Sequence, residues 1–185
     1  MSDTRQSHIC GHKLAFRSVA CDTECKRNRE KTMAETIQVR LAEQNDAEAL
    51  VPLVHAYYAL SPVPHVFDDA EMAAHLRRLA GQPEFGRLLV ATQGEVLVGF
   101  AVLYFGFDTR ALAKTLTLND LFVVASLRGQ GTGHALIAAT FALARQLGCS
   151  RVDWQTRTSN TDAQRLYDTL GQRVEGWVSY SHDLK

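Results

Sequence analysis

A glycine-rich segment is the first part of this sequence whose residue types could bind a ligand. It separates a stretch rich in β-branched residues from an apolar, helix-like stretch, and it reads Arg128-Gly129-Gln130-Gly131-Thr132-Gly133. Glycines let backbone N–H groups crowd toward one point, and a helix N-terminus adds unpaired amides and the positive end of a dipole. Arg128 adds a fixed charge and a bidentate donor. This glycine loop predicts a binding site for a phosphate or pyrophosphate.

Two other phosphate-binding patterns fit the glycine loop less well. A nucleoside-triphosphatase loop needs Gly-Lys-Ser/Thr, but His134 and Ala135 follow Gly133. A dinucleotide fingerprint needs a third glycine where Leu136 stands, and only 32 residues follow its candidate acidic residue, Asp153. The loop taken alone also fits an ordinary glycine-rich turn without a ligand.

The elements that must position the glycine loop follow from hydrophobic periodicity. Strands are predicted over 37–41, 87–92, 95–107, 116–124, 151–156 and 177–183. Helices are predicted over 45–58, 68–80, 135–147 and 161–170, with Asn45 and Asp68 as N-caps of the first two. Hairpins combined with one strand-helix-strand unit indicate an α/β (α+β) fold. Its sheet is mixed and mostly antiparallel, with one parallel pair and helices on both faces.

Two motifs within these elements resemble the GNAT superfamily of N-acetyltransferases. The first is Arg128-x-x-Gly131-x-Gly133 after the strand segment 118–124, which looks like the acetyl-CoA-binding motif of that family. The second is the run 160–167, Asn-Thr-Asp-Ala-Gln-Arg-Leu-Tyr, which is followed by Leu-Gly at 170–171. Together they cover about 116–171. The order of elements from residue 37 onward also matches the GNAT-type acyl-CoA N-acyltransferase fold.

The resemblance implies acetyl-CoA as the acetyl donor and no metal. The backbone of the glycine loop and His134 would hold the pyrophosphate of the donor. The edge of the strand at 122–124 would pair with the pantetheine arm, since an exposed strand edge offers a ladder to its two amides. Asn160 would bond the arm or cap the last helix. The candidate cofactor-binding residues are Phe122, Val123, Val124, Arg128, Gly129, Gln130, Gly131, Thr132, Gly133, His134 and Asn160.

Tyr167 and Asp120 are the candidate catalytic residues. Tyr167 matches the general-acid tyrosine of the family, and a phenol with a pKa of about 10 can protonate a thiolate whose pKa is about 8.5. An alkylamine is mostly ammonium at neutral pH, and Asp120 is a carboxylate that could attract it or pass its proton to water. Polyamine acetyltransferases generally carry Glu where this chain has Asn119. The alternatives are a Tyr167 that only packs against the sheet and an Asp120 that only caps or pairs locally.

The function that follows is acetyl transfer by direct attack of a primary amine on acetyl-CoA. The acceptor would be a small amine such as a diamine, a polyamine or a lysine-like compound, because Asn119-Asp120 and Glu175-Gly-Trp177 look closest to such enzymes. Acceptor selectivity is expected from the first two helices and their connection, through His55, Tyr57, Tyr58, His65, Phe67, Asp68 and Asp69. The alternatives are a protein-lysine, N-terminal or aminoglycoside acetyltransferase, and a non-catalytic acyl-CoA-binding module.

Composition bears on partners and compartment. Twenty basic and twenty acidic residues cancel, so the chain lacks the positive field that attracts nucleic acid or anionic membrane. The apolar stretches are too short to cross a bilayer. Four cysteines are too few for a disulfide scaffold, and their spacing matches no zinc motif. We therefore expect a cytoplasmic enzyme with a small-molecule acceptor and neither nucleic-acid nor membrane partners.

The composition changes near residue 32. Residues 1–32 carry seven Lys or Arg against four Asp or Glu and show no sustained period, so we expect a disordered N-terminal extension. Residues 33–185 are expected to form a single GNAT acetyltransferase domain. A homodimer is compatible with the resemblance.

Overall fold

Five strands form one sheet in the part of the chain that the computed structural model describes, residues 36–176 and 178–184. The strands are β1 (Ile37–Leu41), β2 (Gly86–Gln93), β3 (Val96–Asp108), β4 (Ala113–Val123) and β5 (Val152–Trp154). They lie in chain order, with β1 to β4 antiparallel and β5 parallel to β4. The predicted mixed sheet with one parallel pair is confirmed. The predicted extension over 1–32 lies outside the described residues.

Four helices cover this sheet in the described residues. They are α1 (Ala47–Tyr58), α2 (Asp69–Gly81), α3 (Thr132–Gln146) and α4 (Thr161–Tyr167). Successive strand residues point to opposite faces, so Phe100 packs with α1 and α2 whereas Ala101 packs with α3. Helices on both faces are therefore confirmed. The longest helix has 15 residues, and none in the described part of the chain is long and apolar enough to span a membrane.

The two predicted helix caps have different outcomes. Asp68 caps α2, because its Oδ1 accepts a hydrogen bond of 2.9 Å from the backbone N–H of Glu71. The cap predicted at Asn45 is wrong. A 3₁₀ turn precedes α1, and the local bond is instead the one that the Asp46 carboxylate accepts from the backbone N–H of Glu43 at 2.7 Å. The carboxylate of Asp46, the last residue of the turn, takes this backbone hydrogen bond, and the Asn45 side chain does not.

The strand predicted over 177–183 is wrong for the residues that can be described. Residues 178–184 form no strand, and Val178, Tyr180 and Leu184 are exposed. Alternation of apolar and polar residues is a local pattern, whereas a strand also needs a neighbour that takes up its backbone hydrogen bonds. Residues 178–184 pair with none of the five strands.

The end of β4 carries two irregularities that matter for function. Its last pair with β5 is Leu118 with Trp154, although β4 itself continues to Val123 along β3. In the same region the register with β3 shifts, because Leu118 and Asp120 face consecutive β3 residues and leave Asn119 as the extra residue of a bulge. The parallel strands thus separate where β4 bulges, which leaves one edge of β4 open.

Candidate active site

Asp120 lies directly after this bulge, and its carboxylate lines a cavity. The cavity has a volume of about 130 Å³ and lies between α1, α2, β3 and β4. We call it the tyrosine cavity; its polar lining residues are Tyr57, Tyr58, His75, Tyr104, Asn119 and Asp120. Engineered apolar cavities of similar size bind benzene, so this one has room for the arm of a small molecule.

Two donors hold the Asp120 carboxylate. The Tyr57 hydroxyl donates to Oδ1 at 2.7 Å, and the Asn119 side-chain amide donates to Oδ2 at 2.9 Å. A carboxylate has about four lone-pair sites, so each oxygen can still accept another hydrogen bond. The arrangement fixes Asp120 in place and leaves it able to bind a cation.

Tyr57 is fixed by aromatic neighbours as well as by Asp120. Its ring meets the rings of Phe100 and Phe122 edge-on, with centroids 6.0 and 6.3 Å apart. Burial raises the pKa of the Tyr57 phenol, and the hydrogen bond to Asp120 raises it further. Tyr57 therefore remains a neutral donor to Asp120 throughout the physiological pH range.

The other two tyrosines of the cavity experience the same charge. Burial raises the pKa values of Tyr58 and Tyr104, and the negative charge of Asp120 adds to both effects. Aromatic faces near one carboxylate suit an organic cation, because ring quadrupoles and the carboxylate attract the same charge. The tyrosine cavity is thus chemically suited to an alkylammonium group.

The glycine loop sits at the start of α3 and depends on two left-handed glycines. Gly129 has φ +71° and Gly131 has φ +86°, conformations that residues with side chains rarely adopt. A Cβ at either position would meet nothing within 4 Å, so one side of the loop is open. The N–H groups of the first turn of α3 have no partner within the helix. The predicted anion site stays a prediction, and the donors that it requires are present at the start of α3.

A polar atom without a partner supports the fit of the loop to a phosphate. Thr132 is 1% exposed, and its Oγ1 has no hydrogen-bond partner among the described residues. Buried polar groups are normally paired, so this hydroxyl is a further donor at the start of α3. The residues present therefore fit the pyrophosphate that the sequence predicted.

The remaining side chains of the glycine loop take different directions. Arg128 turns back, so that its Nε donates to the Val123 carbonyl at 3.0 Å and its guanidinium lies 5.7 Å from the Phe122 ring centre. The Gln130 side chain donates to the Ser126 carbonyl at 2.7 Å. His134 is exposed on the first turn of α3. Arg128 thereby links the glycine loop to the end of β4.

The strand edge that the sequence predicted at 122–124 is only partly unpaired. Phe122 and Val123 are buried, so their side chains belong to the two cores and only their backbone faces the cleft. The N–H of Val124 is already used, because it donates to the Val98 carbonyl at 2.9 Å. The backbone of 119–123 on the side of β5 has no strand partner among the described residues, since β5 stops at Trp154, although the Val123 carbonyl accepts a hydrogen bond from Arg128.

Tyr167 and Asn160 lie on the other side of the gap between β4 and β5. Tyr167 is half-buried on α4, and its ring meets the Trp154 ring edge-on at 5.9 Å. Burial raises the pKa of its phenol. Asn160 caps α4, because its Oδ1 accepts a hydrogen bond of 3.3 Å from the N–H of Ala163. Tyr167 and Asp120 therefore flank the gap from opposite faces of the sheet and do not touch.

The residues expected to select the acceptor divide into two groups. Tyr57 and Tyr58 line the tyrosine cavity, as predicted. The others form an outer cluster around the α1–α2 connection, where the His55 ring stacks on Phe67 at 4.3 Å and its Nε2 lies 2.6 Å from Asp69. Tyr104 and His75 were not predicted. They come from β3 and α2, and no motif marks them because only folding brings them beside Asp120.

Comparison with known proteins identifies the family and the fold. A family model described as the Acetyltransferase (GNAT) family matches residues 51–172, which is more than half of the chain. The chain belongs to the GNAT acetyltransferase family. It is therefore an N-acetyltransferase of a family that uses acetyl-CoA as donor, and the predictions of family, fold class and enzyme are confirmed.

Individual relatives of this GNAT chain support its assignment to the family. It is 32% identical over 145 residues to the uncharacterized N-acetyltransferase YhfO of Bacillus subtilis (strain 168), covering 78% of this chain and 95% of that protein. It is 26% identical over 159 residues to thialysine N-epsilon-acetyltransferase of Mus musculus, covering 80% and 92%. The fold resembles that of ribosomal-protein-alanine N-acetyltransferase from Brucella melitensis biovar Abortus 2308, with a TM-score of 0.68 at 21% identity, over 80% of this chain and all of that one.

Proposed function

We propose that this enzyme transfers an acetyl group from acetyl-CoA to the primary amine of a small molecule. The observation that carries the proposal is the Asp120 carboxylate, held by Tyr57 and Asn119 inside the tyrosine cavity beside the open edge of β4. A carboxylate fixed among aromatic rings suits an ammonium group. The open edge and the glycine loop suit the donor.

On the donor side the chain supplies mainly backbone groups. The first turn of α3, with Gly129, Gly131 and the Thr132 hydroxyl, would bind the pyrophosphate, with His134 beside it, while Arg128 ties the loop to the end of β4. The unpaired edge of β4 up to Val123 would pair with the pantetheine arm, and Asn160 would hold the loop that faces it. When bound, acetyl-CoA supplies a thioester whose carbonyl carbon the amine attacks, forming a C–N bond as the C–S bond breaks.

On the acceptor side the roles fall to Asp120 and Tyr167. Asp120 would bind the ammonium and take its proton, directly or through water, because only the neutral amine is a nucleophile. Tyr167 would donate its hydroxyl proton to the leaving sulfur. The raised pKa of Tyr167 keeps that proton on the phenol at neutral pH. The transfer needs no covalent bond to the enzyme and no metal.

The proposed acceptors are diamines, polyamines and lysine-like compounds. Two observations support these acceptors. The tyrosine cavity has room for a small molecule, and the relatives include thialysine N-epsilon-acetyltransferases, whose name refers to a small amine. We further propose that residues 33–185 act as one catalytic domain in the cytoplasm. A homodimer is compatible with this proposal, and no nucleic-acid or membrane partner is required.

A thiol-release assay tests the proposal. Purified protein is incubated with acetyl-CoA and, separately, with diamines, polyamines, lysine, thialysine, aminoglycosides and short lysine peptides. We expect rapid thiol release with at least one small aliphatic amine and none without acceptor. Activity confined to aminoglycosides or peptides would overturn the acceptor class, and tight acetyl-CoA binding with no turnover on any amine would overturn the proposal itself.

A further inference from the structure

Arg157 links the loop after β5 to the end of α1. It lies in the loop that leads from β5 to α4, and its Nη2 donates to the Ser61 Oγ at 3.0 Å, 96 residues away in the sequence. Ser61 follows the end of α1, four residues after Tyr57, and its N–H donates to the Tyr58 carbonyl at 2.8 Å. The guanidinium group is therefore held at the end of α1 that carries Tyr57, the tyrosine that binds Asp120.

The loop that presents Arg157 is fixed by hydrogen bonds to its backbone. The Gln164 side chain of α4 donates to the Arg157 carbonyl at 3.0 Å and to the Thr158 carbonyl at 2.9 Å. The N–H of Asn160 also donates to the Arg157 carbonyl, at 3.0 Å. The position of Arg157 thus depends on α4, the helix that carries Tyr167.

Arg157 is one of six arginines, among the eleven in residues 36–176 and 178–184, that form no ion pair with Asp or Glu. The other five form such pairs: Arg40, Arg77, Arg151, Arg165 and Arg173. Within residues 36–176 and 178–184, no carboxylate forms an ion pair with Arg157. Its charge does reach the tyrosine cavity: burial and the bond to Asp120 raise the pKa of Tyr57, while Arg157 acts in the opposite direction. A fixed anion and an unneutralised cation thus act on the same phenol.

We propose that Arg157 binds the carboxylate of an acceptor whose amine binds Asp120, so that the acceptor is an amino acid with an aliphatic amine. One N–H of the guanidinium is used on Ser61, and the others are free to form the paired hydrogen bonds that arginine makes with carboxylates. A second ammonium at the same place would be repelled, which disfavours diamines and polyamines. This inference rests on the proposed function and narrows its acceptor class.

A pair of acceptors that differ only in the carboxylate tests the inference. Lysine and 1,5-diaminopentane have the same aliphatic chain and terminal amine, and ornithine and 1,4-diaminobutane repeat the comparison at a shorter length. The kcat/KM of the wild-type protein is measured for all four by thiol release. We expect the amino acid of each pair to be preferred by about 10- to 100-fold, which is the range for charge-assisted hydrogen bonds.

Variants then assign the preference to Arg157. In Arg157→Gln we expect the preference for lysine over 1,5-diaminopentane to fall by about 10- to 100-fold, mainly through the KM of lysine. Arg157→Lys should retain part of it, because an ammonium keeps the charge but not the paired donors. Arg165→Gln is the matched control. Arg165 pairs with Asp162 on the same helix segment, and its loss should leave the preference at the wild-type value.

Each result has a defined meaning. Equal or better use of the diamines by the wild type would overturn the role of Arg157 while leaving amine acetylation intact. A rise in the KM of acetyl-CoA in Arg157→Gln, with the lysine preference unchanged, would also overturn it and assign the arginine to the donor. If none of the four acceptors releases thiol, the inference fails. Turnover of some other small amine would then still preserve the proposed function.

Discussion

In the glycine loop the candidate binding groups are backbone N–H groups of consecutive residues, whereas in the tyrosine cavity they are side chains from four elements. The loop needs two residues with positive φ, Gly129 and Gly131, and the start of one helix. The cavity needs Tyr57 and Asp120, which are 63 residues apart and bonded at 2.7 Å. The loop is therefore a local structure and the cavity a tertiary one.

This difference determines what substitutions should do. Every residue type except proline supplies an N–H, so the loop should respond to changes of backbone conformation more than to changes of side chain. In the cavity the reacting and binding groups are themselves side chains, so single atoms matter. Four substitutions sharpen or break this contrast, and they follow in order of decreasing expected effect.

The largest effect is expected for Asp120→Asn. The substitution keeps the shape of the side chain but removes the charge and the proton acceptor, so kcat/KM for the amine should fall by about 10²- to 10⁴-fold. Steady-state thiol release measures this, and calorimetry should give an unchanged Kd for acetyl-CoA. A loss below tenfold would remove Asp120 from the chemistry.

Tyr167→Phe should lower kcat by about 10²-fold, because the leaving sulfur would lose its proton donor. Burial raises the pKa of Tyr167 above its ordinary value of about 10, so the phenol stays protonated as pH rises from 7 to about 9. The kcat of the wild type should therefore not fall through ionisation of Tyr167 across that interval. Tyr180→Phe is the control, since Tyr180 is 91% exposed. Equal kcat values for both variants would exclude Tyr167 as the acid.

Gly131→Ala should act through the backbone alone. A residue with a Cβ in the left-handed region costs about 1–2 kcal/mol, and the new methyl group meets no neighbour, so the KM of acetyl-CoA should rise by roughly 5- to 30-fold. Gly148→Ala is the matched control. It has φ +68° and equally open space but lies after the other end of α3, so it should lower the melting temperature without changing that KM. A similar rise in KM in both variants would contradict a specific role for the loop.

Tyr57→Phe has the smallest expected effect. It removes one hydrogen bond to Asp120 while keeping the ring contacts with Phe100 and Phe122, so kcat/KM for the amine should fall by about 2- to 10-fold. Steady-state thiol release measures this ratio. An unchanged kcat/KM would show that Tyr57 only packs.

The sequence predicted the elements that have strong local signals. Asp68 was recognised as a cap because an acidic residue and the N–H three positions later are enough to form the bond. The strand over 177–183 and the cap at Asn45 were wrong, because each depended on a partner that the pattern does not specify. Residues 178–184 have no neighbouring strand to pair with in the described part of the chain. At the start of α1, a 3₁₀ turn places Asp46 instead of Asn45 directly before the helix.

Site residues follow the same rule. The glycine loop, Tyr167 and Asp120 could be chosen from motifs, whereas Tyr104, His75 and Arg157 could not. The bulge at Asn119 could not be predicted from the sequence either, because a bulge is defined by the register with a neighbouring strand, and that strand, β3, is a separate segment.

The sequence by itself determined the chemistry of the glycine loop, the order of strands and helices, and the two motifs that resemble the GNAT superfamily. These depend on backbone conformation and on periodicities within single segments. Only the tertiary structure decided that Tyr57 and Asn119 hold Asp120, that β4 keeps a free edge beyond Trp154, and that Arg157 reaches Ser61. Such contacts join residues as much as 96 positions apart, and no local preference encodes a distance of that kind.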